Sequence, residues 1–450
     1  MQNIIGIRRE DLSKKGEQRV AIVPEIVKDL SEKGFSFHIQ SGTHPETQEV
    51  KRAFTDQQYA DAHASITEDL SEAQIIFGLK EIEQRYILPH KTYLFFSHTH
   101  KGQIKNRPLL KNLVQKKATL IDYELINHQK GGRVLTAFTY FAGYAGMIDS
   151  LWTYGKRMST QGKANLFSKI PQSIEKGNLD EIKSLIHELG MEIREKGTSP
   201  DLPPLIVCFL GNGKTSTGAQ EIYDILPVKK IELEELEHIF EEGDRRNVYK
   251  LVLDIPKMFK LRSSSPYIDK DLSKKEIIQL YFEEPHHFKS ALKAYFPYIS
   301  ILMNCILWSP KYPRMLSRDQ AADWYRNDQT LKVVGDITCD PEGSIQFSKE
   351  TWIDDPVFIY DPIKRIEQAG FDGDGIAVMA VTNLPCEFPA DASKQFANEL
   401  FPFLPAILLA NYEAETIDQA GLPREIREAT ILWRGELTDK YSYMQEFLND

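Results

Sequence analysis

Two histidines and a lysine fall within four positions of the stretch FFSHTHKGQ (95–103), directly after an aromatic pair. Side chains alternate along a strand, so a strand running to His98 and His100 would place both imidazoles on one face and Lys101 on the other. A histidine titrates near neutral pH and can carry protons. A His-x-His pair can also ligate zinc, but zinc needs a third or fourth ligand. Neither an HExxH pattern nor a cysteine pair lies nearby, and no metal is expected. An acid/base site and a solvated strand end both remain open. Lys80 in FGLKE ends a second expected strand, within reach of the same place as His98. A carboxylate, Glu124 in IDYE, and a guanidinium, Arg133 in GGR, again lie beside strand ends. Singly, each reads as a surface charge. Their recurrence is informative, because open α/β sheets bind ligands beyond the carboxyl ends of their strands.

A second constellation is FLGNGKTSTGAQE (209–221). An apolar strand ends directly on Gly211, Gly213 allows close backbone approach, and Gly218 lies beside a helix start. That is the arrangement which seats a pyrophosphate on a helix N-terminus. Ser216 stands where a GxGxxG pattern has its third glycine, and an ordinary strand–turn–helix remains the plain alternative. Glu232, 21 residues past Gly211, is spaced to hold an adenosine ribose diol. Lys229 and Lys230 beside it would instead attract a 2′-phosphate, so the two cues conflict.

The elements that must position these groups follow from periodicity. NIIGI, SFHIQ, AQIIFGL and TYLFF read as short strands, and Pro24 opens an amphipathic helix, an α/β pattern. A helix over 141–158 connects to a second βαβ series beginning at PPLIVCFL (203–210) and continuing through YISILMNCILW and KVVGDITC. Further strands, VFIYD and GIAVMAV, precede helical stretches from Pro389 onward. With 450 residues, two or three domains of about 100–200 residues each are expected. A net charge of −10 without a basic run argues against nucleic acid, which needs clustered cations. The four cysteines form no CxxC pair. The N-terminus lacks the apolar core of a signal peptide, and no apolar run approaches the ~20 residues of a membrane span. A cytoplasmic protein acting on small molecules, with no membrane or nucleic-acid partner, is the expectation.

IGIRRED…GEQRVAIVPE, FGLKE, FSHTHKGQ, IDYE, FAGYAGMID, GNGKTSTGAQEIYDILP, GDITCDPEGSIQF and VTNLPCEFP occur in one order along the chain. In this the chain resembles lysine-ketoglutarate reductase, also called saccharopine dehydrogenase (lysine-forming), within the alanine dehydrogenase/transhydrogenase-like superfamily. The resemblance implies an α/β architecture of two Rossmann-like domains with a cleft between them, the first discontinuous: 1–140 plus 345–450, and 141–344. It implies that lysine, 2-oxoglutarate and a reduced nicotinamide give saccharopine through an imine. By resemblance Lys80 and His98 are catalytic, Arg19, Lys101 and Arg133 hold substrate carboxylates, and Glu124 holds the amino-acid ammonium or tunes Lys80. His100 falls to the scaffold. Gly211, Asn212, Gly213, Ser216, Gly218 and Glu232 would bind the cofactor, NADP or NAD, with NADP favoured because the glycine loop matches that of the fused two-enzyme members. A separate saccharopine-oxidising enzyme is the expected partner, and an oligomer is compatible with the resemblance. Two rivals are a reductase joining another amine to another keto acid, and a non-catalytic nucleotide-binding regulator of the same fold.

Overall fold

Short β-branched and aromatic runs such as Ile4–Ile7 and Thr92–Phe95 are buried on both faces, which suits parallel strands covered by helices. The computed structural model describes residues 4–449, which divide into two units, 4–138 with 389–449 and 139–388. Across the sheet of the first unit the strands run Glu436–Leu437, Thr430–Trp433, Thr119–Asp122, Thr92–Phe95, Ile75–Phe77, Ile4–Ile7, Ser36–Ile39 and Ser65–Ile66. The six drawn from the first 122 residues pair in parallel; the two C-terminal ones are antiparallel additions. Helix Pro24–Glu32 shows why the faces are covered. Proline at its start sacrifices only an N–H that has no intrahelical partner, and Ile26, Val27 and Leu30 turn inward while Glu25 and Lys28 stay exposed. Phe396, Leu400, Leu404, Ile407 and Leu432 share one core with Ile5, Val27 and Phe77. The chain therefore returns to its first unit to complete that core.

The second unit opens on the helix Ala137–Thr160 and carries its own sheet. The order is Ile366–Ala369, Val357–Asp361, Ile376–Met379, Val333–Asp336, Ile301–Asn304, Ile206–Leu210, Val248–Leu253 and Val228–Ile231. All pair in parallel except Val357–Asp361 and Ile366–Ala369. This corrects the expected boundary. The resemblance implies that residues 345–388 belong to the first domain, but the strands at 357–361, 366–369 and 376–379 extend the second sheet, and the return occurs at Pro389. Among the described residues no helix is long and apolar enough to cross a membrane.

Candidate functional site

In the first unit, the strand order changes direction at Ile4–Ile7, which lies between Ile75–Phe77 and Ser36–Ile39. Ligands of such sheets bind beyond the carboxyl ends at this switch point. The segments leaving those ends carry Glu10, Lys80, Glu81, His98 and Glu124.

The strand through Leu94 stops at Phe95, earlier than the alternation of FFSHTHKGQ implies. His98 takes a left-handed conformation (φ 52°) and starts a tight turn over Thr99–Lys101. Because of that turn, His98, His100 and Lys101 do not divide between two faces of a strand. Instead all three converge on one oxygen: Glu124 Oε2 lies 2.7 Å from Lys101 Nζ, 3.7 Å from His100 Nε2 and 3.8 Å from His98 Nε2. Glu124 Oε1 accepts from Arg133 Nη2 at 2.7 Å. Burial pushes the Glu124 carboxyl up, but Lys101 and Arg133 together hold it below its ordinary range. His100, expected to belong to the scaffold, thus sits in the cluster, with its Nδ1 3.8 Å from the buried Asp122.

The other ring nitrogen of His98, Nδ1, meets Glu81 Oε1 at 2.5 Å, and Lys14 pairs with Oε2 of the same carboxylate at 2.6 Å. Burial alone would raise the Glu81 pKa; hydrogen bonds from His98 and Lys14 override it and hold the group well below the carboxylate range. An anionic partner on Nδ1 fixes that proton and leaves Nε2 as the exchangeable position.

Lys80 is placed by a group that sequence reasoning missed. The carboxylate of Glu10, almost wholly buried, accepts the backbone N–H groups of Leu79 and Lys80 at 2.8 and 2.9 Å. Burial raises the Glu10 pKa, with Arg8 opposing. Arg19 is also buried. Its guanidinium donates to both oxygens of Glu17 at 2.8 and 2.6 Å and lies 4.2 Å from the centre of the Phe138 ring. Against the pull of burial, the charges of Arg19 and Lys80 bring Glu17 down to about 2. Lys80 and Arg19 therefore share one anion, Glu17, whereas His98, Lys101 and Arg133 share another, Glu124. Glu10, Glu17 and Glu81 are all acidic residues within or beside the quoted motifs. Nothing in their spacing marks them as partners, since Glu10 meets Lys80 across 70 residues.

In the second unit, the strand order changes direction at Ile206–Leu210, between Ile301–Asn304 and Val248–Leu253. The glycine loop leaves that strand. Gly211 needs its positive φ of 83° for the turn, and Gly213 precedes the helix Lys214–Tyr223. Gly211, Asn212 and Gly213 line a cavity of about 400 Å³ with Asp254, Ile255 and Leu307 among its other walls. The helix start there presents unpaired N–H groups to an anion, so the loop fits a dinucleotide. Two expected contacts are corrected. Ser216 is fully buried, its hydroxyl accepting from Gln220 at 3.0 Å. Gly218 lies against the backbone of the Ala137–Thr160 helix, where a Cβ would come 2.4 Å from the Tyr140 carbonyl oxygen. Both occupy the inner face of the helix and serve packing. Glu232 is half-exposed and paired with Lys257 at 2.6 Å, outside the cavity lining.

Residues 6–145 match the family model of the alanine dehydrogenase/PNT N-terminal domain. The chain is 35% identical over 408 residues to alpha-aminoadipic semialdehyde synthase of Arabidopsis thaliana, covering 88% of this chain and 37% of that protein. It is 30% identical over 459 residues to the mitochondrial alpha-aminoadipic semialdehyde synthase of Rattus norvegicus, covering 98% and 48%. The chain thus spans half or less of the length of these relatives. It is also 23% identical to saccharopine dehydrogenase [NAD(+), L-lysine-forming] of Candida albicans, over 89% of this chain and 91% of that one. Among solved structures, an L-alanine dehydrogenase superposes with a TM-score of 0.62 at 16% identity, covering 99% of both chains, which shows the shared fold. Residues 6–145 are accordingly similar to the alanine dehydrogenase/PNT N-terminal domain, and the chain is similar over most of its length to parts of the alpha-aminoadipic semialdehyde synthases and, more distantly, to the lysine-forming saccharopine dehydrogenases.

Proposed function

We propose that this chain is an NAD(P)-dependent saccharopine dehydrogenase of the lysine-forming type, interconverting lysine plus 2-oxoglutarate with saccharopine. The observation that carries the reading is the set Lys80, His98, Lys101 and Arg133, gathered at the carboxyl ends of parallel strands around Glu17, Glu81 and Glu124. Condensing an amine with a keto acid requires protons to be removed from the amine and delivered to the departing hydroxyl. Positioned acid/base groups contribute roughly 10²–10⁴-fold to such steps. His98 can exchange a proton at Nε2 while Glu81 secures Nδ1. Lys80 supplies the second titratable group, with its backbone fixed by Glu10. Lys101 and Arg133, now paired with Glu124, offer cations to the substrate carboxylates, and Arg19, paired with Glu17, is a third cation in the same unit. When bound at the glycine loop, the nicotinamide supplies the hydride that reduces the imine.

The test is turnover, followed by nicotinamide absorbance with the purified chain, lysine and 2-oxoglutarate. Oxidation of NADH or NADPH that requires both substrates is the expected result. Cofactor binding without turnover would instead identify a non-catalytic nucleotide-binding protein, and turnover only with other amines or keto acids would reassign the substrates.

A further inference from the structure

The acidic residue spaced for ribose recognition, Glu232, is in the wrong place to perform it. In a dinucleotide fold the ribose carboxylate ends the strand adjacent to the glycine-loop strand, level with the loop. Here the adjacent strand is Val248–Leu253, and Val228–Ile231 lies one strand further out. Leu210 is in register with Leu253, and Gly211 donates its N–H to the Leu253 carbonyl at 2.8 Å, so the residue level with Gly211 is Asp254. Ile231 is in register with Leu251, which leaves Glu232 two residues short of that level. With strands about 4.8 Å apart and residues about 3.3 Å along each, Glu232 is displaced both sideways and backwards from the loop.

Asp254 also has the local chemistry. It lines the same cavity as Gly211, Asn212 and Gly213. Its Oδ1 is buried without a hydrogen-bond partner, and its Oδ2 pairs with the exposed Lys274 at 2.5 Å. A buried carboxylate oxygen without a donor is costly, and a ribose diol supplies donors. We propose that Asp254, not Glu232, is the residue that binds the adenosine ribose hydroxyls of the cofactor, and that it makes the enzyme select NAD(H) over NADP(H). The inference rests on the dinucleotide reading of the glycine loop. A 2′-phosphate would place its negative charge against the Asp254 carboxylate and would remove a hydroxyl donor. The expectation of NADP came from the glycine loop, whose backbone meets the pyrophosphate and does not touch the 2′ position.

The experiment is a titration of NADH and NADPH by nicotinamide fluorescence with the full chain, as wild type, Asp254→Ser, Asp254→Asn, Glu232→Ala and Lys274→Ala. The wild type is expected to bind NADH at least tenfold tighter than NADPH. Both Asp254 variants should weaken NADH by roughly tenfold or more, the loss of hydrogen bonds to a charged group, and bind NADPH more tightly. Glu232→Ala should leave the ratio unchanged. A wild-type preference for NADPH that disappears in Lys274→Ala would assign the position to a 2′-phosphate and overturn the proposal, as would an unchanged ratio in both Asp254 variants. Binding of neither cofactor by a wild type with an intact melting transition would sink the dinucleotide reading itself.

Discussion

Individual side chains in the first unit fall into two anion-centred groups, and these make different demands on a substitution. His98 is braced by Glu81 at Nδ1 and faces Glu124 at 3.8 Å through Nε2, while Lys80 has its backbone clamped by Glu10 and its charge facing Glu17. Both residues belong to the first unit, whereas the glycine loop belongs to the second. Lys80→Met and His98→Gln should therefore lower kcat by roughly 10²–10⁴-fold, the range of general acid/base contributions, and leave cofactor affinity nearly unchanged. Steady-state kinetics alongside fluorescence titration separates the two quantities, and unchanged turnover in both variants would remove them from the mechanism. Much of this group was legible in the sequence: Lys80, His98, Lys101, Glu124 and Arg133 stood out as charges at strand ends. The convergence of His98, His100 and Lys101 on Glu124 was not, because it depends on the left-handed turn at His98, which replaces the alternation of a strand. Glu10, Glu17 and Asp254 were invisible for a related reason, since each is defined by a partner or a register set by tertiary structure.

Among the elements, the strands and helices follow periodicity closely, and the departures occur where packing decides. VFIYD and GIAVMAV were read as strands, yet periodicity does not say which sheet a strand joins; pairing of Val333–Asp336 with Ile376–Met379 settles it. Gly218 is a second case. Its place in a glycine-rich loop suggests a phosphate contact, whereas two helices crossing at near backbone contact require it: Gly143 would set a Cβ 2.2 Å from the Thr215 carbonyl oxygen, and Gly218 one 2.4 Å from that of Tyr140. Gly218→Ala should consequently destabilise the chain by about 1–3 kcal/mol, the cost of overpacking, with a smaller effect on dinucleotide affinity. Chemical denaturation and cofactor titration of the same variant check this. A large loss of affinity at unaltered stability would return Gly218 to the cofactor site.

For the whole molecule, buried carboxyls are displaced in both directions, and this predicts a pH profile. In the second unit Asp149, on the Ala137–Thr160 helix, and Glu387, just before the return at Pro389, are both fully buried and near each other. Burial and mutual repulsion raise Glu387 well above its ordinary range, and burial lifts Asp149 to about 6. Raised carboxyls mean that the folded state holds protons which the unfolded chain, with carboxyls titrating near 4, has already released. Their contribution is present below pH ~4 and is lost progressively as pH rises through the folded values. Glu17 in the first unit behaves the other way: at about 2, below the unfolded value, its contribution is present above pH ~4.5 and lost as the pH falls toward 2. Thermal unfolding of the wild type should thus decline on the alkaline side through the loss of the Asp149–Glu387 proton. Glu387→Gln keeps the shape and a hydrogen-bond donor without the titration, so its melting temperature should exceed that of the wild type at pH 8 and fall less between pH 5 and pH 8. Parallel slopes in the two proteins would show that the pair does not govern alkaline stability.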